Sequence, residues 1–504
     1  MDLFLALLPA IIMITLVILT RKVLLSLGVG VFLAALVYSN FNFGDAYTYF
    51  WNSFNGIITD LDWYMPIVGF VILIGGITSV IALSGGIRAF ADWAVSKVKN
   101  PVSAKLLTWF LGLLIFIDDY FNALVIGEIS KPITDKYKVS RAKLAYIIDS
   151  TSAPVVILMP ISTWGAYIIG ILGGLFATHN YQGHNAFGGF LASIPYQFYP
   201  ITAIVMVFVV VWYKINIGPM KDFEEKALAG NDESKMIDGE VVSEDQVQGT
   251  KATQWTLIVP VGLLIITTLF MMFRAAEFNA SAFMDQDITI PLFIGGLVAF
   301  IVALIFGFAD PGVKTKDLFR VSREGMFGML KSAVVILILA WMISGAIQDL
   351  ELGEMIADVI ASTNISGAFL PFLMFFVAAF IAFATGTSWG AFGILLPIAV
   401  PIVMAINPIM MPGVIAAVLG GAVVGDHSSP VSDTTVLSAT GAQSTLYAHF
   451  ISQLPYVLVT AGIAALGYLM YGFTQMIVLS YAVLIIGVVV FVLVYKYKIQ
   501  PNQK

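Results

Sequence analysis

The chain predicts an all-α polytopic membrane protein with about eleven transmembrane helices and two re-entrant hairpins in an inverted repeat. Three observations carry this. Apolar runs of spanning length recur from end to end, Lys and Arg fall at alternate run ends, and polar interruptions match between the halves. Only 11% of residues are charged and 59% are hydrophobic, against roughly 25% charged in a soluble domain. The runs at 3–20, 23–39, 255–272 and 481–495 are each long enough, or nearly so, to cross about 30 Å of hydrocarbon as a helix. Because such runs continue along the chain, the first reads as a span rather than a cleaved signal. They are continuous, not alternating, which favours helices over a barrel.

Positive charges near run ends mark the cytoplasmic side. Arg21 and Lys22 follow the first run, which places the N-terminus outside. The stretch 40–62 has three Asp and no Lys or Arg, as an outer loop should. Arg88, Lys97, Lys99 and Lys105 return the chain inside. The apolar stretch 106–129 is then followed by Lys131, Lys136, Lys138, Arg141 and Lys143, so both of its flanks read as cytoplasmic. Such a segment is expected to be a re-entrant hairpin, near 106–130, with its tip at Phe116-Ile-Asp-Asp-Tyr-Phe-Asn122. Irregular backbone at that depth is tolerated only inside protein or along a water-filled cavity. A broken helix follows near 144–176, interrupted at Asp149-Ser-Thr-Ser-Ala-Pro154.

The second half repeats the plan from the opposite side. A hairpin is expected near 368–409, interrupted at Thr385-Gly-Thr-Ser-Trp-Gly390, and a broken helix near 412–442, interrupted at Gly425-Asp-His-Ser-Ser-Pro430. Pro154 to Gly165 and Pro430 to Gly441 both span 11 residues. Gly85-Gly-Ile-Arg-Ala-Phe-Ala-Asp92 is similar to Leu352-Gly-Glu-Met-Ile-Ala-Asp358, and Ser193-Ile-Pro-Tyr196 to Ser452-Gln-Leu-Pro-Tyr456. The expected units are therefore 1–215 and 254–472 as the two inverted repeats, 216–253 as an acidic cytoplasmic loop, and 473–504 as an extra helix with a cytoplasmic tail. Discontinuous helices meeting near the midplane are the usual basis of alternating access in secondary transporters.

Other classes are disfavoured. The stretch 221–251 holds four basic and nine acidic residues, which accounts for most of the net charge of −6 and leaves nothing to suggest a nucleic-acid partner. The absence of cysteine removes disulfides, thiolate metal sites and thiol nucleophiles. No P-loop appears, so self-powered ATP-driven transport is not expected, nor is any cofactor or enzymatic activity.

Ionisable groups inside membrane spans cost roughly 2.5–3.5 kcal/mol each and are functional by default. The candidates are Asp118, Asp119 and Asn122 on the first tip, and Asp149, Ser150 and Thr151 on the first break. The second half contributes Thr385, Thr387 and Ser388 on its tip, and Asp426, His427, Ser428, Ser429, Asp433 and Thr434 around its break. Carboxylates balanced by hydroxyls and freed carbonyls form the oxygen cage a hard cation needs, and Asp118, Asp149 and Asp426 with neighbouring hydroxyls are the expected Na+ ligands. A buried carboxyl can also hold a proton instead. Asp118 and Asp119 would point about 100° apart on a regular helix. Blander readings stand beside these. Asp149, Asp426 and Asp433 could each cap a following half-helix, His427, Trp164 and Trp389 could be packing groups, and Glu128 could pair with Lys131. His449 reads as interfacial, and His179 and His184 as solvated loop residues. No buried Lys or Arg is evident to neutralise a substrate carboxylate, which favours a bare ion as cargo.

At Phe116-Ile-Asp-Asp-Tyr-Phe-Asn122, Lys143-Leu-Ala-Tyr-Ile-Ile-Asp-Ser-Thr-Ser-Ala-Pro154 and Gly425-Asp-His-Ser-Ser-Pro-Val-Ser-Asp-Thr-Thr435 the sequence resembles the NhaC-type sodium/proton antiporters of the ion transporter superfamily. The likeness covers residues 61–456. It implies two hairpins and two broken helices per protomer, a homodimer with an elevator-type moving part, and a place in the bacterial plasma membrane with its lipid bilayer. The cargo it implies is Na+ exchanged for H+, with a small organic acid or amino acid as the alternative solute.

Overall fold

The computed structural model describes residues 3–20, 22–60, 64–95, 98, 100–179, 181–235, 247–279, 282–283, 286–351, 355, 366–430 and 432–499. Glu354 and Asp358, and with them most of the 352–358 repeat match, lie outside these residues, as do 236–246 of the acidic loop. The chain is all-helical, with no β-strand among the described residues. In order come α1 (Leu3–Thr20), α2 (Val23–Tyr38), α3 (Phe43–Thr59), α4 (Tyr64–Leu83), α5 (Gly86–Val95), α6 (Pro101–Leu114) and α7 (Asp119–Lys136). These are followed by α8 (Arg141–Val156), α9 (Thr163–Thr178), α10 (Ala186–Ser193), α11 (Phe198–Trp212) and α12 (Pro219–Leu228). The second half supplies α13 (Trp255–Ala275), α14 (Thr289–Ala309), α15 (Thr315–Met329) and α16 (Val335–Asp349). It continues with α17 (Leu370–Thr385), α18 (Ser388–Ile406), α19 (Met411–Ser428), α20 (Asp433–Ala442), α21 (Leu446–Thr474) and α22 (Ile477–Val494).

Eight of the described helices are long and apolar enough to cross a membrane, or nine if α10 and α11, bent by 48°, count as one span. Five further apolar helices are shorter. The polytopic membrane class therefore holds, but length and composition do not reproduce the expected eleven crossings. The two arms around Gly386 each have the reach of a full span, more than half a span apiece.

Two helix groups emerge from the packing. In one, α4 lies against α14 and α15, α13 against α14, and α2 against α1, α3 and α16. In the other, α8 is surrounded by α6, α7, α11, α20 and α21, while α17 packs along α19. The helices α9 and α18 meet α16 and join the groups. A Cβ on Gly421 or Gly425 would collide with the backbone of α17 at Phe375 or Ala379. These two small residues, one turn apart, let α19 approach that closely and set Asp426 beside the tip between α17 and α18.

Side-chain caps fix where the breaks fall. Asp118 accepts from the Phe121 amide at 2.9 Å to open α7, Ser162 from Gly165 at 2.9 Å to open α9, and Ser432 from Thr435 at 3.3 Å to open α20. The turn at Gly386 uses a left-handed φ of 72°, which glycine adopts without steric cost. One expected break moves. α8 runs unbroken through Asp149 and Pro154 to Val156, and the interruption lies at 157–162. Pro154 sits in the last turn, where it denies the Ser150 carbonyl its usual N–H partner two residues before the helix ends. Thr151 folds its hydroxyl back onto the Ile147 carbonyl at 2.7 Å instead of unwinding the turn.

The acidic loop is not merely solvated. Glu224 on α12 is 6% exposed, accepts from the Ser140 amide and hydroxyl at 2.8 Å each, and pairs with Lys105 at 3.6 Å. Asp232 accepts from the Arg141 amide at 3.0 Å, so the loop caps the start of α8. The far end of the loop fastens to the other helix group, where Asp310 accepts from Thr250 and Lys251. Burial pushes the Asp310 carboxyl up, but the amides of Thr250, Lys251 and Gly312 and the Thr250 hydroxyl outweigh it and hold the group down at about 2.

Candidate functional site: two buried carboxylate centres

Asp426 lies in the last turn of α19, 1% exposed. Its Oδ2 accepts from the Ser388 hydroxyl at 2.7 Å, and Ser388 is the first residue of α18. Its Oδ1 accepts from Ser432 and, at 3.0 Å, from Thr434. The Thr435 hydroxyl reaches the Asp426 carbonyl at 3.4 Å. Among the described residues, hydroxyls thus supply every side-chain hydrogen bond to this carboxylate. A hydroxyl donates one proton but keeps lone pairs, so the same shell can turn its oxygens toward a cation.

Asp149 is in the middle of α8 and fully buried. Its Oδ2 accepts from His449 Nε2 at 3.2 Å and Gln453 Nε2 at 2.6 Å, and its Oδ1 from the Ser438 hydroxyl at 3.2 Å. His427 Nε2 stands 4.0 Å from Oδ1. The other ring nitrogen of His427 meets the Tyr199 hydroxyl at 3.1 Å, and Gln453 also donates to the His427 carbonyl at 2.8 Å. Nitrogen donors dominate this shell.

The first tip holds a third set. Asp118 caps α7 and accepts from Thr163 at 3.1 Å. Asp119 accepts from the Trp164 indole at 2.9 Å, while its Oδ2 is buried without a protein partner. Asn122 donates to the carbonyls of Gly112 and Ile115 at 2.9 and 2.6 Å and leaves its own oxygen unpartnered. Asp119 is close enough for its charge to interact with those of Asp118 and Asp426, and Asp426 with that of Asp149. The Ser152 hydroxyl joins α8 to the Asp119 carbonyl at 3.3 Å.

The remaining expected residues are placed as follows. Asp433 is the first residue of α20 and exposed, and accepts from the Tyr120 hydroxyl at 3.1 Å. Thr385 turns its hydroxyl to the Ala382 and Thr387 carbonyls, both at 3.4 Å, and Thr387 is half-buried. Ser428 bonds back to Val424 at 2.7 Å and Ser429 to Phe383 at 2.8 Å. Thr151 bonds within α8, and Ser150 is buried there. The side chain of Glu128 lies outside the described residues.

Several expectations need correction. Asp149, Asp426 and Asp433 are not the residues that cap half-helices; Asp118, Ser162 and Ser432 are. The expected Na+ ligands Asp118, Asp149 and Asp426 each have hydrogen-bond partners of their own, and among the described residues no group of three His, Asp or Glu side chains is placed to hold a metal ion. His449 is not interfacial but 0% exposed against Asp149. Buried cations exist: Lys143 is 0% exposed, donates to the Ile215 carbonyl at 3.0 Å and stands 5.1 Å from the Tyr456 ring centre. Trp164 does more than pack, since it donates to Asp119; Trp389 meets it and Tyr167 edge to face at 5.9 and 4.7 Å. His449 and Gln453, four residues apart in an apolar run, share a helix face. That polar pair was the signal that could have found them.

The Na+/H+ antiporter family model matches residues 155–473, which takes in the Asp426 centre but begins beyond Asp118, Asp119 and Asp149. A Haemophilus influenzae protein of uncharacterised function is 38% identical, with 97% of this chain and 94% of that protein aligned. A Bacillus subtilis malate-2H(+)/Na(+)-lactate antiporter is 27% identical over 42% of this chain and 44% of its own. In structure, the Alcanivorax borkumensis YdaH transporter is similar, with a TM-score of 0.58 at 13% identity, covering 86% of this chain and 89% of that one. At that identity the likeness speaks to the fold. This multi-pass membrane protein is a secondary transporter, and the chain belongs to the Na+/H+ antiporter family.

Proposed function

We propose that the protein exchanges cytoplasmic Na+ for external H+ across the bacterial plasma membrane by alternating access, with the N-terminus outside and the C-terminus cytoplasmic. The observation that carries this reading is the Asp426 shell, in which Ser388, Ser432 and Thr434 surround one carboxylate with hydroxyl oxygens. A hard monovalent cation suits such oxygen ligands, and a proton taken up within the buried carboxylate network when the cation leaves would keep its charge balanced. The unpartnered oxygens of Asp119 and Asn122 are further acceptors on the neighbouring tip. The shell draws on α18, α19 and α20, and any shift between them changes its geometry. An elevator-type motion of a homodimer and an inverted repeat are the mechanism the family resemblance suggests.

A second reading has its own support. The Bacillus subtilis relative is named for exchanging malate with protons against lactate with sodium, and buried Lys143 weakens the argument that no cation is available for an organic anion. Reconstituted protein separates the two readings. Sodium-driven proton movement in liposomes free of organic solute supports bare-ion antiport. Movement that appears only when an organic acid is added supports the exchanger instead.

A further inference from the structure

We propose that Asp149 and His449 form a proton-carrying station distinct from the hydroxyl-lined centre at Asp426; this deepens, and rests on, the antiport reading. The two shells differ in what they can accept. Amide and imidazole N–H groups donate and cannot ligate a cation while doing so, and the Asp149 Oδ2 atom is taken by two of them, from Gln453 and His449. A cation arriving at that oxygen would meet N–H protons rather than lone pairs. A proton meets no such barrier. With His449 Nε2 donating to Asp149, the ring's Nδ1 carries a lone pair, and that atom is buried without a partner. One proton added at Nδ1 turns neutral imidazole into imidazolium facing a carboxylate, with no other bond broken. The gain of one positive charge matches the one lost when Na+ leaves the other centre.

The groups that face the pair come from every neighbouring element. His427 and Asp426 approach from α19, Tyr199 from α11, Ser438 from α20 and Gln453 from α21. Two of these contacts link the stations. Thr434 and Ser438 lie four residues apart on α20, one bonded to Asp426 and the other to Asp149, and residues at that spacing share a helix face. Gln453 bonds both Asp149 and the backbone of the residue after Asp426. A change of occupant at one carboxylate therefore pulls directly on donors of the other. His449 and Asp149 also join α8 to α21, so the proton's presence alters how firmly the broken helix is held.

The test is reconstitution with two readouts, radiolabelled sodium–sodium exchange and sodium-driven proton movement, on the wild type and on His449→Gln and Asp149→Asn. Either variant suffices if the other fails to fold. Both are expected to lose sodium-driven proton movement to background while sodium–sodium exchange persists, a readout that a collapsed protein would also lose. Purified wild type is expected to release protons on binding sodium, and the variants are not. Wild-type proton coupling in a folded variant would overturn the proposal, and so would loss of both exchange modes together in a monodisperse one. A wild type that moves no protons would instead overturn the antiport reading itself, and the proposal with it.

Discussion

Asp149 and Asp426 stand in matching motifs of the two halves, each ahead of Ser residues and a Pro, yet their surroundings differ in kind. Asp426 is enclosed by hydroxyls from the start of α18 and the start of α20. Asp149 is enclosed by two side-chain N–H groups and one hydroxyl. The carboxylates are chemically identical, so their roles are set by what the neighbouring helices bring. Where two segments carry the same short motif, the shared residue fixes where a charge can sit, and the partners from neighbouring helices decide what that charge binds.

The largest effect that could break this comparison is at Asp426. Asp426→Asn removes the charge that balances a cation, and should abolish sodium-dependent transport in reconstituted protein that still inserts; normal transport would reduce the residue to a packing role. Next come its hydroxyl partners. Ser388→Ala or Thr434→Ala removes a hydrogen bond to a charged group, worth about 1.5–3 kcal/mol. The half-saturating sodium concentration should rise by roughly ten- to a hundredfold, with no comparable rise at an exposed serine such as Ser366.

Smaller effects concern the acidic loop rather than the site. Glu224→Gln unpairs Lys105 while the side chain can still accept from Ser140, and should cost about 1–3 kcal/mol, seen as a lower Tm and faster proteolysis within 216–253. The smallest effect is at Asp310. Its carboxyl is held down at about 2, against about 3.9 when free. Its contribution is therefore complete above the free value and is lost as pH falls through about 2. Amide exchange at Thr250 and Lys251 should stay slow at pH 5 and accelerate only in strong acid.

Much of the fold was legible because membrane helices announce themselves. Charge poverty, run length and the Lys/Arg pattern pointed to a polytopic helical protein, and the polar stretches around Asp118, Gly386 and Asp426 all fall where helices end. The break near Asp149 was misplaced because Ser, Thr and Pro mark the end of a helix turn without fixing which turn. Thr151 satisfied itself on its own helix, and the interruption slipped to 157–162. The Asp149 partners were hidden for a different reason. His449 and Gln453 sit 300 and 304 residues from it, and their polar pairing is invisible until α21 is packed against α8. Lys143 likewise read as a flanking charge, because only Ile215 and, from α21, Tyr456 cover it in the folded chain. Length and composition alone do not fix the number of crossings where helices are short or bent, as at α10 and α11.

Under the proposed assignment the cation sits at Asp426 and not at Asp149. Radiolabelled sodium binding to purified protein tests it most directly, comparing wild type, Asp426→Asn and Asp149→Asn. Saturable binding is expected in the wild type and in Asp149→Asn, and none in Asp426→Asn. Retained binding in Asp426→Asn, together with its loss in a folded Asp149→Asn, would contradict it.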